Sequence, residues 1–412
     1  MTDEIGRVRQ SRTLCAAICT LGALTFTAVP TQAQTFSRWS SLCAGVERTT
    51  GVALGDLDGD GDLDAVFAMG RHLAEQDSVL SNDGRGNFFG KRSLGDAADP
   101  SYGVALGDLD GDGALDAVVA NDIGARSIAY KNDGRGQFTS LARLGATGHP
   151  RRAVALGDFD EDGDLDVVLV GMGQDHLYFN EGKGQRWTER TLGSPAGGES
   201  RGTGVAVADL DADKDLDIVV PGRYEGESHI YLNDGKGNFD TQKFGKGPDD
   251  PTSVAVGDVD GDGDPDIVTA NWEQQHVVYV NDGRGRFSAF GTFGTGNEPS
   301  WSVVLGDIDL DGDLDAVVGN GNLDFWEDDV DGDGRPDRFG HQARNTPSRV
   351  YMNNGRGQFS PGAAIDSGGD NTRPIAIGDI DRDGDLDVVM GNDCQPNYVF
   401  FNSIRSITPK PK

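Results

Sequence analysis

The sequence predicts an all-β chain, a seven-bladed β-propeller of four-stranded antiparallel blades closed by an N-terminal strand that completes the last blade. Three observations carry that reading. A nine-residue pattern, D-x-D-x-D-G-x-x-D, begins at Asp56, Asp108, Asp158, Asp209, Asp258, Asp307 and Asp379, with Lys214 standing for the Gly in the fourth copy. Successive starts lie 52, 50, 51, 49, 49 and 72 residues apart, a repeat of about fifty residues that suits one propeller blade. The third observation is a mismatch between the two ends of the chain. An aromatic precedes the loop's first Asp by 20 residues at Phe88, Phe138, Phe287 and Phe359, and Phe36 stands 20 residues before Asp56. The chain therefore starts with a fourth strand that lacks its blade, and it stops after 398–402 with a blade that lacks its fourth strand. Ring closure satisfies both and removes an exposed sheet edge.

Before the first strand lies a different kind of segment. Arg7, Arg9 and Arg12 precede an uncharged stretch of 16 residues from Leu14 to Val29, followed by Pro30-Thr31-Gln32-Ala33. A membrane span needs about 20 apolar residues, so residues 1–33 read as a secretory signal peptide cut after Ala33. The propeller is assigned to 34–405, and 406–412 to a tail. A secreted, periplasmic or cell-surface location is the expectation.

Within each repeat the elements follow in a fixed order. A short apolar strand such as Val104 to Gly107 enters the Asp loop, and a second apolar strand such as Leu115 to Ala120 leaves it. A variable polar stretch leads to a third strand ending in Tyr-x-Asn, then a Gly-rich turn and an aromatic, as in Tyr130-Lys131-Asn132-Asp133-Gly134-Arg135-Gly136-Gln137-Phe138. Asn and Gly accept positive φ, so Asn-Asp-Gly-x-Gly marks a hairpin, and the Phe opens strand four. The long last interval carries an insertion over about 321–346 in blade six, and an eighth copy of the loop lies inside it.

Carboxylates at alternating positions of a tight turn can converge on one hard cation, and Gly at the sixth position permits the turn. The acidity of the chain is largely this inventory: the formal charge is −32, and eight loops supply four Asp each. Such a charge argues against nucleic acid as a partner. Without signal cysteines, only Cys43 and Cys394 remain in an oxidising setting, and ring closure brings their strands to one blade edge, so a Cys43–Cys394 disulfide is expected.

These loops and Tyr-x-Asn-Asp-Gly-x-Gly-x-Phe turns resemble the FG-GAP/VCBS repeats of secreted bacterial proteins, related to the propeller of integrin α-subunits. The resemblance implies calcium held by the carboxylates at positions one, three, five and nine with the backbone carbonyl of position seven. In loop one these are Asp56, Asp58, Asp60 and Asp64 with Asp62, and in loop two Asp108, Asp110, Asp112 and Asp116 with Ala114. Loop three has Asp158, Asp160, Asp162 and Asp166 with Asp164, and loop four Asp209, Asp211, Asp213 and Asp217. Loop five has Asp258, Asp260, Asp262 and Asp266 with Asp264, and loop six Asp307, Asp309, Asp311 and Asp315 with Asp313. The inserted copy offers Asp329, Asp331, Asp333 and Asp337, and the last loop Asp379, Asp381, Asp383 and Asp387 with Asp385. About seven to eight structural calcium ions are expected, coupled to folding.

Function is sought on the face away from these loops, where the repeats differ. The residue six positions before each loop forms a ring of Thr50, Tyr102, Arg152, Thr203, Thr252, Trp301 and Arg373. Tyr102, Arg152, Trp301 and Arg373 would suit a ligand with an apolar face and an anionic group, as acidic sugars have. Arg151, Tyr224, Trp272 and Trp326 are nearby candidates. His72, His176, His229 and His276 are read as polar residues of the variable loops, and no His, Cys or Asp spacing suggests zinc or a nucleophile triad. The favoured function is a monomeric calcium-binding module, adhesive or glycan-binding, rather than an enzyme. A polysaccharide lyase or hydrolase on the variable face and a structural component of a surface complex are the other two readings.

Overall fold

A computed structural model describes residues 35–404, apart from 43–46, 123, 147, 194–200, 225, 246–248, 322, 329–337 and 344. The side chains of 39, 40 and 323–343 also fall outside that description. The signal-peptide and tail assignments, Cys43 and the inserted Asp329, Asp331, Asp333 and Asp337 therefore lie outside the described residues. Every described element is a β-strand. No described helix is long and apolar enough to cross a membrane.

One repeat shows how the sequence makes its sheet. Ser101–Gly107, Asp116–Asn121, Ser127–Asn132 and Phe138–Leu144 form a four-stranded antiparallel sheet in chain order. All six residues of Asp116–Asn121 are buried, whereas only the two end residues of Phe138–Leu144 are. A strand covered on both faces needs no polar alternation, which is why Asp-Ala-Val-Val-Ala-Asn reads as a continuous apolar run between two polar ends. Four further sheets have the same make-up, and one sheet has eight strands. In the latter, Glu47–Gly55, the first strand of one set, meets Asp387–Gln395, the second strand of the other, through the pairs Glu47↔Gln395 and Arg48↔Asp393. Phe36–Ser41 pairs antiparallel with Tyr398–Asn402, Phe36 opposite Asn402. The insertion carries a two-stranded hairpin, Leu323–Asp328 with Arg338–Ala343.

The cores lie between successive sheets rather than within them. Val66, Ala68 and Val79 of the first repeat pack with Ala117, Val119 and Ile128 of the second. On its other side the first repeat packs Ala65, Phe67 and Leu80 against Ile380, Val389 and Val399 of the last. Each repeat also donates one side-chain amide to its predecessor: Asn132 Nδ2 to the Leu57 carbonyl, Asn180 to Leu109, Asn233 to Phe159, Asn281 to Leu210, Asn353 to Val259 and Asn402 to Ile308, all at 2.8–2.9 Å. The Asn of Tyr-x-Asn is thus more than a turn former, because its amide satisfies a buried carbonyl of the preceding Asp loop.

Candidate functional site

Two sets of residues gather at opposite ends of these sheets. At one end are the Asp loops. The position-one carboxylate folds the loop by accepting backbone N–H groups, as Asp56 does from Gly59 at 2.8 Å and Gly61 at 2.9 Å. The position-five carboxylate accepts the N–H of position seven, as from Asp62 to Asp60 at 2.9 Å. The position-nine Asp opens the second strand and is buried. Asp64 accepts from Leu57 N–H at 3.0 Å and from Asn82 N–H at 2.8 Å, which ties the loop to the third strand. The Asn-Asp-Gly turn closes over the loop: a Cβ on Gly84, at φ +66°, would lie 2.3 Å from the Asp62 carboxylate. Glycine there serves both the left-handed turn and the close approach.

What these hydrogen bonds leave over is informative. Ligand atoms of Asp56, Asp58 and Asp64 lie within 4.8 Å of one another, and so do those of Asp108, Asp110 and Asp116, of Asp158, Asp160 and Asp166, and of Asp209, Asp211 and Asp217. In the fifth loop the group is Asp258, Asp260 and Asp262. Asp58, Asp110, Asp160 and Asp211 each keep one buried carboxylate oxygen with no hydrogen-bond partner, as do Asp209, Asp307 and Asp379. Burial, opposed by backbone hydrogen bonds and reinforced by neighbouring Asp, pushes the position-nine carboxyls up: Asp64, Asp116 and Asp266 to about 6, Asp166, Asp217 and Asp315 to about 7, and Asp387 to about 8. A bound cation reverses that cost. The donor set is all oxygen, so these clusters could hold a hard metal ion.

Loop four keeps this geometry despite Lys214. Its backbone takes φ +82°, beside +86° for Gly61 and +91° for Gly113 in the same position, and its N–H still reaches Asp209 Oδ2 at 3.0 Å. Asp215, absent from the sequence-based ligand set, takes the position-seven place, donating its N–H to Asp213 at 3.0 Å. Loop two differs more. Lys131 extends from the third strand into it, its ammonium bonding Asp110 and, at 2.8 Å, Asp112. A positive charge already stands among these ligands.

At the other end the ring residues divide into two roles. Thr50 Oγ1 donates to the Ser101 carbonyl at 2.7 Å, Thr203 to the Thr252 carbonyl at 2.9 Å, and Thr252 to the Ser300 carbonyl at 2.8 Å, so each threonine ties its inner strand to the next. All seven ring residues, these threonines with Tyr102, Arg152, Trp301 and Arg373, line a cavity of about 120 Å³, which also takes in Arg71, His72, Arg223 and Tyr224. The Arg373 guanidinium carbon lies 4.1 Å from the centre of the Trp301 ring, and that of Arg223 lies 4.6 Å away. Arg373 is anchored by Asp393 at 2.8 Å and Arg223 by Asp250 at 3.3 Å. Desolvation, with Arg71 close by, holds Arg373 down at about 10. Arg152 has a buried Nε with no hydrogen-bond partner.

Sequence comparison of the repeats missed Arg71 and Arg223 and read His72 only as a polar loop residue; all three come from the stretch after strand two. That stretch is aligned by a bond repeated in every repeat: the N–H of Gly70, Asp122, Met172, Arg223, Trp272, Gly321 and Asp393 donates to the carbonyl of Arg48, Pro100, Pro150, Arg201, Asp250, Pro299 and Asn371 respectively. A left-handed residue often follows, including Arg71 at φ 58° and Tyr224 at 53°. Counting six to eight residues forward from each loop's last Asp would have found them.

Other sequence expectations change. Arg151 is buried and turned to the Gln174 carbonyl at 2.5 Å, outside the cavity. The Trp272 ring lies 4.8 Å from that of Trp301, tilted by 58°. His176, His229 and His276 are not loop residues: they lie at the start of third strands, and His229 and His276 are buried, because the strand begins earlier than its polar residues suggest.

No curated protein sequence matches this chain. Among solved structures, BBS1N in complex with ARL6DN, soaked with mercury, has a TM-score of 0.58 at 11% identity, over 90% of this chain and 97% of that one. A lectin of Agrocybe aegerita that specifically recognises non-reducing terminal N-acetylglucosamine has a TM-score of 0.50 at 19% identity, over 83% of this chain and 85% of that one. At these identities the likeness is one of fold. The FG-GAP-like repeat profile matches residues 56–119, 109–169, 158–220, 222–269, 258–318 and 329–390. By these matches, which span most of its length, the chain belongs to the FG-GAP-like repeat family.

Proposed function

We propose that this protein is a secreted, calcium-stabilised, seven-bladed propeller that binds an acidic glycan in the cavity of Tyr102, Arg152, Trp301 and Arg373. The observation that carries the reading is the unpartnered Arg152 Nε within an aromatic cavity that also holds three further arginines. A carboxylate or sulfate would satisfy it, and Trp301 and Tyr102 offer flat apolar surface to a sugar ring. That a lectin is among the structural neighbours is in keeping with a glycan. Calcium is the hard cation assigned to the loops, on the partnerless oxygens of Asp58, Asp160 and their counterparts. Closure of the ring is supported by the pairing of Phe36 with Asn402 and by the core shared between first and last repeats.

Calorimetric titration with polygalacturonate, alginate and a neutral glucan tests the binding reading. Binding of an acidic polymer, weakened about tenfold or more by Arg152→Ala, is expected, because a charge-assisted hydrogen bond contributes about 1.5–3 kcal/mol. Equal binding of the neutral glucan, or an unchanged Arg152→Ala variant, would sink the site assignment.

A further inference from the structure

The cavity holds a hydrogen-bonded chain that simple binding does not need. Asp122, fully buried, stands 2.5 Å from His72 Nδ1 through Oδ2, while its other oxygen has no hydrogen-bond partner. His72 Nε2 lies 3.2 Å from the Tyr102 hydroxyl, and Arg71 Nε donates to that same oxygen at 3.3 Å. The three members come from different repeats or different loops, and the backbone of Asp122 is pinned by its N–H to the Pro100 carbonyl at 2.8 Å. With the Nδ1 proton given to Asp122, Nε2 is left as an acceptor for the phenol. His72 is half exposed to the cavity, so the end of the chain is open to a ligand. Arg71, which brings a cation to the phenol oxygen, does so from a left-handed backbone at φ 58°.

We infer that this constellation makes the cavity an eliminase site for uronate-containing polysaccharides, with Tyr102 as the proton-transferring group. The inference rests on the acidic-glycan reading above. Arg152 lies beside Tyr102, its guanidinium carbon 5.2 Å from the ring centre. A uronate carboxylate on Arg152 brings the neighbouring C5–H towards the phenol and has its charge neutralised, which makes that hydrogen acidic. Tyr102 passes its proton to His72 Nε2, Asp122 stabilises the imidazolium, and Arg71 faces the phenolate oxygen. The phenolate takes the C5 proton. The electron pair forms a C4=C5 double bond, the C4–O bond to the adjoining sugar breaks, and the departing oxygen takes the proton from Tyr102. His72 then returns its proton to the Tyr102 phenolate, which restores the neutral pair. No water, oxidant or reductant is consumed, and the products are a new hydroxyl end and a 4,5-unsaturated uronate.

The test incubates the whole protein with polygalacturonate and, separately, alginate, and follows the ultraviolet absorbance of the unsaturated uronate beside a binding titration on the same polymer. A polymer that binds should also yield absorbance. Tyr102→Phe and His72→Ala should lower that rate about a hundredfold or more, the scale of general acid–base catalysis, while still binding. Asp122→Asn, a positioning change, should lower the rate and move its pH profile without altering binding. A polymer that binds the wild type without absorbance overturns the eliminase and leaves the binding module standing. Absorbance unaffected by Tyr102→Phe and His72→Ala overturns the residue assignment, and failure of both polymers to bind overturns both readings.

Discussion

Asn82 donates its side-chain amide to the backbone carbonyl of Ile380, 298 positions away, at 2.9 Å. The bond is the same one that every other repeat makes to its predecessor, here running from the first Asp-loop repeat to the last. It is buried, and the same amide also reaches the Leu63 carbonyl at 3.2 Å.

Replacing Asn82 by Leu should therefore destabilise the fold by about 1–3 kcal/mol, the cost of leaving a buried carbonyl unsatisfied. Urea unfolding should show a lower midpoint with an unchanged slope. A variant as stable as the parent would mean that the two repeats do not depend on this contact.

Chelating calcium should lower the melting temperature markedly and adding it should restore it, because buried carboxylate oxygens without a hydrogen-bond partner stand in six of the loops and binding to the native state alone stabilises by mass action. Differential scanning calorimetry with a chelator and then excess calcium reads this directly. An apo protein of undiminished stability removes the structural role.

Lys131 should weaken loop two as a cation site, since its ammonium bonds Asp110 and Asp112. Lys131→Met should raise calcium stoichiometry by about one, or tighten the weakest site, because a like charge no longer competes. Calcium titration of parent and variant decides it, and identical isotherms would show that Lys131 yields to the ion without cost.

His276 gives a pH dependence of known sign. Burial holds it down at about 4 from an ordinary 6.5, against the opposing pull of Glu298 at 3.6 Å. The unfolded chain takes up the proton first as pH falls, so the stability due to neutral His276 is complete above about 6.5 and is lost as pH drops towards 4. His276→Gln should flatten the unfolding free energy over that window, measured with calcium saturating. A parallel slope in both proteins would assign the acid sensitivity to other groups.

We propose a disulfide between Cys43 and Cys394, on the reading that the protein is exported. Described residues on either side of Cys43 reach both sides of Cys394: Leu42 N–H bonds the Asn397 carbonyl at 2.8 Å, and Arg48 pairs with Asp393. Such a bond would contribute about 2–4 kcal/mol. Peptide mapping without reduction should recover the linked pair, and separate alkylatable peptides would defeat it.

The Asp-loop turns were legible because they are local: nine consecutive positions contain the turn and the carboxylates that accept its N–H groups, though Asp215 was left out of the fourth. The strands around them were nearly as legible, since a strand covered on both faces shows as an unbroken apolar run such as Val118, Val119 and Ala120. Even the pairing of Phe36 with the strand ending at Asn402 could be read from spacing, as a surplus strand at one end matched a deficit at the other. Lys131, one residue before a turn whose motif looked intact, gave no sign that its ammonium reaches the loop across the hairpin.

The cavity was legible only in half. Alignment to the loops located Tyr102, Arg152, Trp301 and Arg373, because each occupies one position of the inner strand. It could not separate them from Thr50, Thr203 and Thr252, whose hydroxyls are taken up by carbonyls of the next repeat. Nor could it join Tyr102 to His72 and Asp122, which stand at unlike residue types in the stretch after strand two of two different repeats. By itself the sequence determined what each repeat builds. Tertiary structure alone decided what the repeats build together, because a cavity lined by several repeats takes one or two side chains from each, and their distances depend on how the sheets pack rather than on any spacing along the chain.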